Sequence, residues 1–119
     1  MNGRGRRQKG ANGERELASI LSDQLGFEVK RKLGQARDGG HDLEIGRFYI
    51  EVKRQERLSI EDWCRQVELS VAMRSEIDSE GPTSSAVPVV IYRRSGQPWR
   101  CVVPLTWFCE AVREDLNAK

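Results

Sequence analysis

The stretch His41–Arg54, HDLEIGRFYIEVKR, holds the side chains best suited to chemistry in this chain. It reads as two short strands joined by a tight turn at Gly46–Arg47. Side chains on a strand alternate between faces. Leu43 and Ile45 therefore point one way on the first strand, and Asp42 and Glu44 the other. On the second strand Phe48, Ile50 and Val52 share the apolar face, and Tyr49, Glu51 and Lys53 share its reverse. Glu51 and Lys53 are same-side neighbours about 6.6 Å apart along the strand. A hairpin that matches its apolar faces brings Asp42 to their side. Two carboxylates and an ammonium then meet beside an apolar floor. Hard divalent cations such as Mg²⁺ take oxygen ligands and bind through one or two carboxylates plus substrate phosphate. A lysine alongside would hold or polarise an attacking water. A Glu-x-Lys pair is equally compatible with a solvated hairpin face.

Two further residues join this group from other elements. Glu14 falls three residues before Leu17 and so extends an apolar helical stripe. An acid on that line implies a positive partner or an ion, or else a carboxylate at a helix N-terminus. Gln66 lies near the edge of a later helical stripe, within reach of a site beyond Lys53, or is an ordinary exposed helix residue.

Length and composition narrow the class. At 119 residues the chain suits one domain. No apolar run approaches the length of a membrane span, and the basic, Gly-rich N-terminus lacks the apolar stretch of a secretory signal. A cytoplasmic location is expected. Cys64, Cys101 and Cys109 show no C-x-x-C spacing and lie among apolar neighbours. Buried free thiols are expected, and a zinc site is disfavoured. The net charge of +2 conceals an asymmetry. Residues 1–37 carry nine Lys or Arg against four acids, so the remainder of the chain is acidic. The run Arg4, Arg6, Arg7 and Lys9 would attract a polyanion such as DNA, or serve as a solubilising tail.

In chain order, residues 1–11 read as a flexible basic arm and residues 12–119 as a single folded domain. A helix is expected from Asn12–Gly13 to Gly26 on the stripe Leu17, Ile20, Leu21 and Leu25. Phe27–Arg31 alternates as a first strand, with Phe27 and Val29 inward. Lys30, Arg31 and Lys32 then form a basic cluster, and the loop Leu33–Gly40 offers Gln35 and Arg37 for phosphate contact. After the hairpin, Ser59 and Asp62 suit a capping box, with Leu58 and Trp63 as its staple. The following helix carries Ile60, Trp63, Cys64, Val67 and Val71 through to about Glu76. Val87–Arg93 reads as a buried strand and Trp99–Val103 as an antiparallel partner. A closing helix, Leu105–Leu116, places Leu105, Phe108, Cys109, Val112 and Leu116 on one side. Trp107 falls off that stripe. Trp107 and Trp99 mark either a self-association patch or the rim of the core.

The order of these elements, with Glu14 on the first helix, Asp42 on the second strand and E-V-K at Glu51–Lys53 on the third, resembles the PD-(D/E)XK nuclease superfamily. Within it the pattern is most similar to archaeal-type Holliday junction resolvases and small phage-encoded proteins. The similarity runs from about Gly10 to Val103. It implies an α/β, restriction-endonuclease-like core with a central mixed five-stranded sheet flanked by helices, in the order αβββαββα. By position, Asp42 and Glu51 match the metal-binding acids and Lys53 the catalytic lysine. Glu14 matches a first-helix glutamate in the metal and water network, and Gln66 a glutamine on the helix after the motif. His41 replaces the usual proline, which alters turn stiffness and leaves Asp42 in place. Gln35 stands where many resolvases carry serine, so that loop hydroxyl has no counterpart.

The implied reaction is Mg²⁺-dependent phosphodiester hydrolysis of DNA, with Mn²⁺ as a substitute ion. Asp42 and Glu51 would hold the ion, with the Val52 carbonyl as a further oxygen and Glu14 positioning water or a second ion. Lys53, flanked by acids, suits a cation that orients hydroxide and stabilises transition-state charge. The implied substrate is branched double-stranded DNA, as in recombination and repair, cut by a homodimer whose two sites share one junction. Arg4, Arg6, Arg7, Lys9, Lys30, Arg31, Lys32, Gln35, Arg37, Arg54 and Arg57 would hold backbone without reading sequence. The alternatives are a nuclease of the same fold acting on linear, flapped or sequence-specific DNA, and an inactive DNA-binding module.

Overall fold

The computed structural model describes residues 3–31, 42–77 and 86–118. The elements run α1 (Gly3–Leu25), β1 (Leu43–Ile45), β2 (Phe48–Arg54), α2 (Ile60–Ile77), β3 (Val87–Arg93), β4 (Arg100–Val102) and α3 (Leu105–Asn117). The sheet is mixed, in the order β1-β2-β3-β4. β1 and β2 pair antiparallel with Leu43 opposite Ile50. Gly46, at φ +56°, supplies the positive φ that a two-residue hairpin loop needs at its first position. β2 and β3 are parallel, with Ile50 opposite Val89, and β3 and β4 are antiparallel. Parallel neighbours need a crossover connection, and α2 provides it.

Strand alternation splits the core into two layers. On one face Ile50, Val52, Val87, Val89 and Ile91 pack with Leu17, Ala18 and Val29. On the other, Tyr49 and Val90 pack with Trp63 and Val67 of α2. The expected stripe of α2 is borne out, since Ile60, Cys64 and Val71 also pack here. Leu43, fully buried, seats the hairpin. The expected strand faces are therefore observed, and Glu51 and Lys53 lie on the α2 side of β2.

Several expectations are corrected. α1 begins at Gly3 rather than near Asn12, so helical backbone occupies most of the segment expected as a flexible arm. Once a helical turn exists, each added residue gains one hydrogen bond, and Arg, Gln and Lys are good helix formers. Phe27–Arg31 contributes a single bridge, Arg31 to Leu43, so the sheet has four strands among the described residues instead of five. The reason is local. Gly26 ends α1 at φ +80°, and the Val29 N–H donates to Ser22 Oγ at 2.8 Å instead of joining a ladder. Val29 is buried as expected, whereas Phe27, Leu25 and Ile20 are exposed. The last strand is shorter than expected, Arg100–Val102. The cysteines are free, but Cys64 is half-buried and Cys101 and Cys109 are exposed. Lys32, Gln35, Arg37 and His41 lie outside the described residues. Among the described residues no helix is long and apolar enough to cross a membrane.

In α3 the apolar stripe does not face the core, and none of the helix's residues is buried. Trp107 makes the contact instead, edge-to-face with Phe48 at 5.5 Å between ring centroids.

Candidate active site

The hairpin positions two of the carboxylates. The Asp42 N–H donates at 2.9 Å to the carbonyl of Ile50, the residue paired with Leu43, which ties Asp42 to β2 just beyond the last ladder pair. Asp42 Oδ2 accepts the Val52 N–H at 2.8 Å, so the carboxylate is held over β2. Two residues along the same face as Glu51, Lys53 brings Nζ to 3.4 Å from Glu51 Oε1. Both side chains are less than a fifth exposed.

Glu14 arrives from α1, and glycine makes that approach possible. A Cβ added at Gly13 would meet the Arg54 Cβ at 3.0 Å, tighter than ordinary packing. α1 thus closes on β2 at a helical position that lacks a side chain, and Glu14 follows directly. Further along α1, Glu16 accepts from Arg93 Nη2 at 3.0 and 3.1 Å. The Arg93 guanidinium also lies 5.4 Å from the Trp99 ring centroid, which ties α1 to the end of β3. Glu14 itself is held by Arg31, whose Nε donates to Oε2 at 2.8 Å.

The electrostatics show an unbalanced negative site. Asp42 is raised from its ordinary value to about 7, first by burial, then by the Glu51 charge and more weakly by Glu14. The Val52 N–H and Lys53 oppose the rise without cancelling it. Glu51 is also raised, again chiefly by burial, with Glu14 adding and Lys53 opposing. Buried carboxylates with raised pKa values favour any positive charge that can come between them.

Mg²⁺ fits this donor set. Among the described residues no three His, Cys, Asp or Glu side chains form a ready-made cage for an ion. Mg²⁺ does not require one, because it keeps several waters and takes one or two carboxylates with substrate phosphate. Asp42 and Glu51 supply hard oxygen donors of that number, and their shortage of positive charge matches a divalent cation.

The match with protein families agrees with this geometry. The profile described as "Phage putative PDDEXK endonuclease" matches residues 5–119. The chain belongs to that family. No protein of curated function matches it in sequence. In three dimensions the nuclease is similar to Hjc of Archaeoglobus fulgidus, a Holliday junction resolvase from an archaeal hyperthermophile. The TM-score is 0.51 at 24% identity, over 80% of this chain and 72% of that one. The likeness places the fold among restriction-endonuclease-like proteins.

Of the residues expected at the site, the structure brings Asp42, Glu51 and Lys53 together, with Glu14 close enough for its charge to act on both other acids. Gln66 is exposed on α2, on the sheet face that Glu51 and Lys53 share, and no hydrogen bond joins it to them. Arg31, expected as a DNA contact, is ion-paired with Glu14. Arg54 is half-buried against Gly13, while Lys30 and Arg57 are exposed. The side chains of Arg4, Arg6, Arg7 and Lys9 are not among those described. The pairing of Arg31 with Glu14 and the close approach at Gly13 were missed from sequence. The one available signal was a glycine set inside a helical segment immediately before an inward acid.

Proposed function

We propose that this nuclease is a divalent-metal-dependent, structure-selective endonuclease that hydrolyses phosphodiester bonds in branched double-stranded DNA, with the four-way junction as its preferred substrate. The observation that supports this most is the pair of half-buried, pKa-raised carboxylates, Asp42 and Glu51, beside Lys53 on one face of the hairpin. Asp42, Glu51 and the Val52 carbonyl would hold Mg²⁺, with Mn²⁺ able to replace it. When bound, the ion supplies charge neutralisation at the scissile phosphate and acidifies an attacking water. Lys53 orients that water and stabilises charge that builds on the phosphate oxygens. Glu14, steadied by Arg31, accepts a hydrogen bond from the water and fixes its line of attack. Water adds to phosphorus, the ester oxygen leaves with a proton, and one strand is nicked.

Residues 12–119 would form a single nuclease domain, with α1 continuing N-terminally from it to Gly3. Lys30, Arg57 and the basic side chains at 4, 6, 7 and 9 would bind backbone and select shape rather than sequence. Two copies related by a two-fold axis would present two sites to the two matching strands of a junction. The resemblance to a resolvase fold and the symmetry of such a substrate support this reading over linear DNA. The test is incubation with a synthetic four-way junction, a flap and a linear duplex, with Mg²⁺ or with EDTA, for wild type and Glu51→Gln. Paired nicks in the junction alone, lost with EDTA and with Glu51→Gln, are expected. Equal cleavage of linear duplex would refute junction preference.

A further inference from the structure

α3 is an amphipathic helix turned the wrong way for its own chain. At 100° per residue, Leu105, Phe108, Cys109, Val112 and Leu116 fall within an arc of about 100°. Leu105 is 74% exposed, Phe108 54%, Val112 40% and Leu116 65%. Trp107 lies on the opposite side of the helix and packs against Phe48, so the stripe is held outward. Among the described residues nothing covers it. A helix of this length has little stability without tertiary packing, and its stripe receives none from the described residues.

We propose that this stripe is the seam through which two copies of the chain pair, with their α3 helices crossing antiparallel about a two-fold axis. The inference deepens the junction reading, and rests on it for the need for two sites on one substrate. Three observations favour a second copy as the occupant. The first is spacing. Leu105, Cys109, Val112 and Leu116 are separated by four, three and four residues, a pattern that reads the same in both directions. Reversed upon itself, it sets Leu105 against Leu116 of the second copy and Cys109 against Val112, as an isologous interface requires. The second is charge. No charged residue falls inside the arc, and the nearest, Arg113 and Asp115, stand on opposite margins with opposite signs. Such a face offers nothing to a nucleic-acid strand or a charged peptide, and suits an equally apolar stripe. The third is area. The stripe exposes on the order of 400 Å² of apolar surface, about the apolar share of one side of a standard interface of about 800 Å².

The test needs no DNA. Sedimentation equilibrium in EDTA is run on wild type and on the double variant Phe108→Glu/Leu116→Glu at micromolar concentration, with circular dichroism to follow helix content. The expected result is a two-chain mass for wild type and half that mass for the variant, with unchanged helix content. In a second measurement Cys101→Ser/Val112→Cys is oxidised. A disulfide-linked pair is expected, and it should vanish when Cys109→Ser is added. A wild type that stays at single-chain mass, a double variant that stays paired, or a failure to cross-link would each overturn the proposal. Failure here and failure of the junction reading are distinguishable. A paired protein that ignores junctions refutes only the substrate, and a single-chain protein that cuts them refutes only the seam.

Discussion

Asp42→Asn should make the protein more stable while removing its activity, and the gain should depend on pH. The amide oxygen of the new side chain can still accept the Val52 N–H, so the hairpin keeps its lock. What disappears is a charge that the fold disfavours. The folded Asp42 carboxyl sits at about 7 against an ordinary value of 3.8. The sign follows from proton counting. Between those values the folded state binds more protons than the unfolded chain, so wild-type stability falls as pH rises through this window and levels off above it. The full shift corresponds to at most roughly 4 kcal/mol at pH 8, and to less than about 1 kcal/mol near pH 4. The assay is urea unfolding of wild type and Asp42→Asn in EDTA at pH 4, 6 and 8. The expected outcome is a higher midpoint for the variant, with a difference that widens with pH. Added Mg²⁺ should raise the wild-type midpoint and leave the variant nearly unmoved, since the ion binds the folded carboxylates. An equal or lower midpoint for Asp42→Asn at pH 8 in EDTA would refute the reasoning, because the acids would then not be held at a cost.

Other outcomes follow from the same geometry. Lys53→Ala should lower kcat by about 10²- to 10³-fold with little change in junction affinity, read by single-turnover cleavage beside gel-shift binding. Arg31→Gln removes the partner of Glu14 and should lower kcat, while costing about 1–3 kcal/mol of stability; an unchanged kcat would separate Arg31 from the site. Gly13→Ala adds helix propensity worth about 1 kcal/mol but sets its Cβ 3.0 Å from that of Arg54, so the two elements must yield by a few tenths of an ångström where α1 meets β2. Activity should therefore fall more than thermal stability does, measured as kcat beside Tm. DNA affinity should drop steeply with salt, and Arg57→Ala should lessen the slope of log Kd against log salt by about one contact.

The chain by itself determined the hairpin and its chemistry. Period-two alternation across Leu43–Lys53 set which side chains share a face, and Gly46 set the turn, so Glu51, Lys53 and Asp42 could be grouped before any fold was known. The α2 stripe was legible for a similar reason, because helical spacing and burial agree along Ile60–Val71. Tertiary structure decided what depends on long-range approach. Glu14 reaches the site only because α1 closes on Arg54 at Gly13, and Arg31 turns from the solvent to that glutamate across 17 residues. Phe27–Arg31 looked like a strand by alternation, yet Ser22 captured a backbone donor that the ladder would have used. α3 shows the limit most clearly. Its amphipathic pattern specified a stripe but not a direction, and the packing of Trp107 on Phe48 turned that stripe outward. A periodic pattern records that a face will be buried, and only the packed chain shows against what.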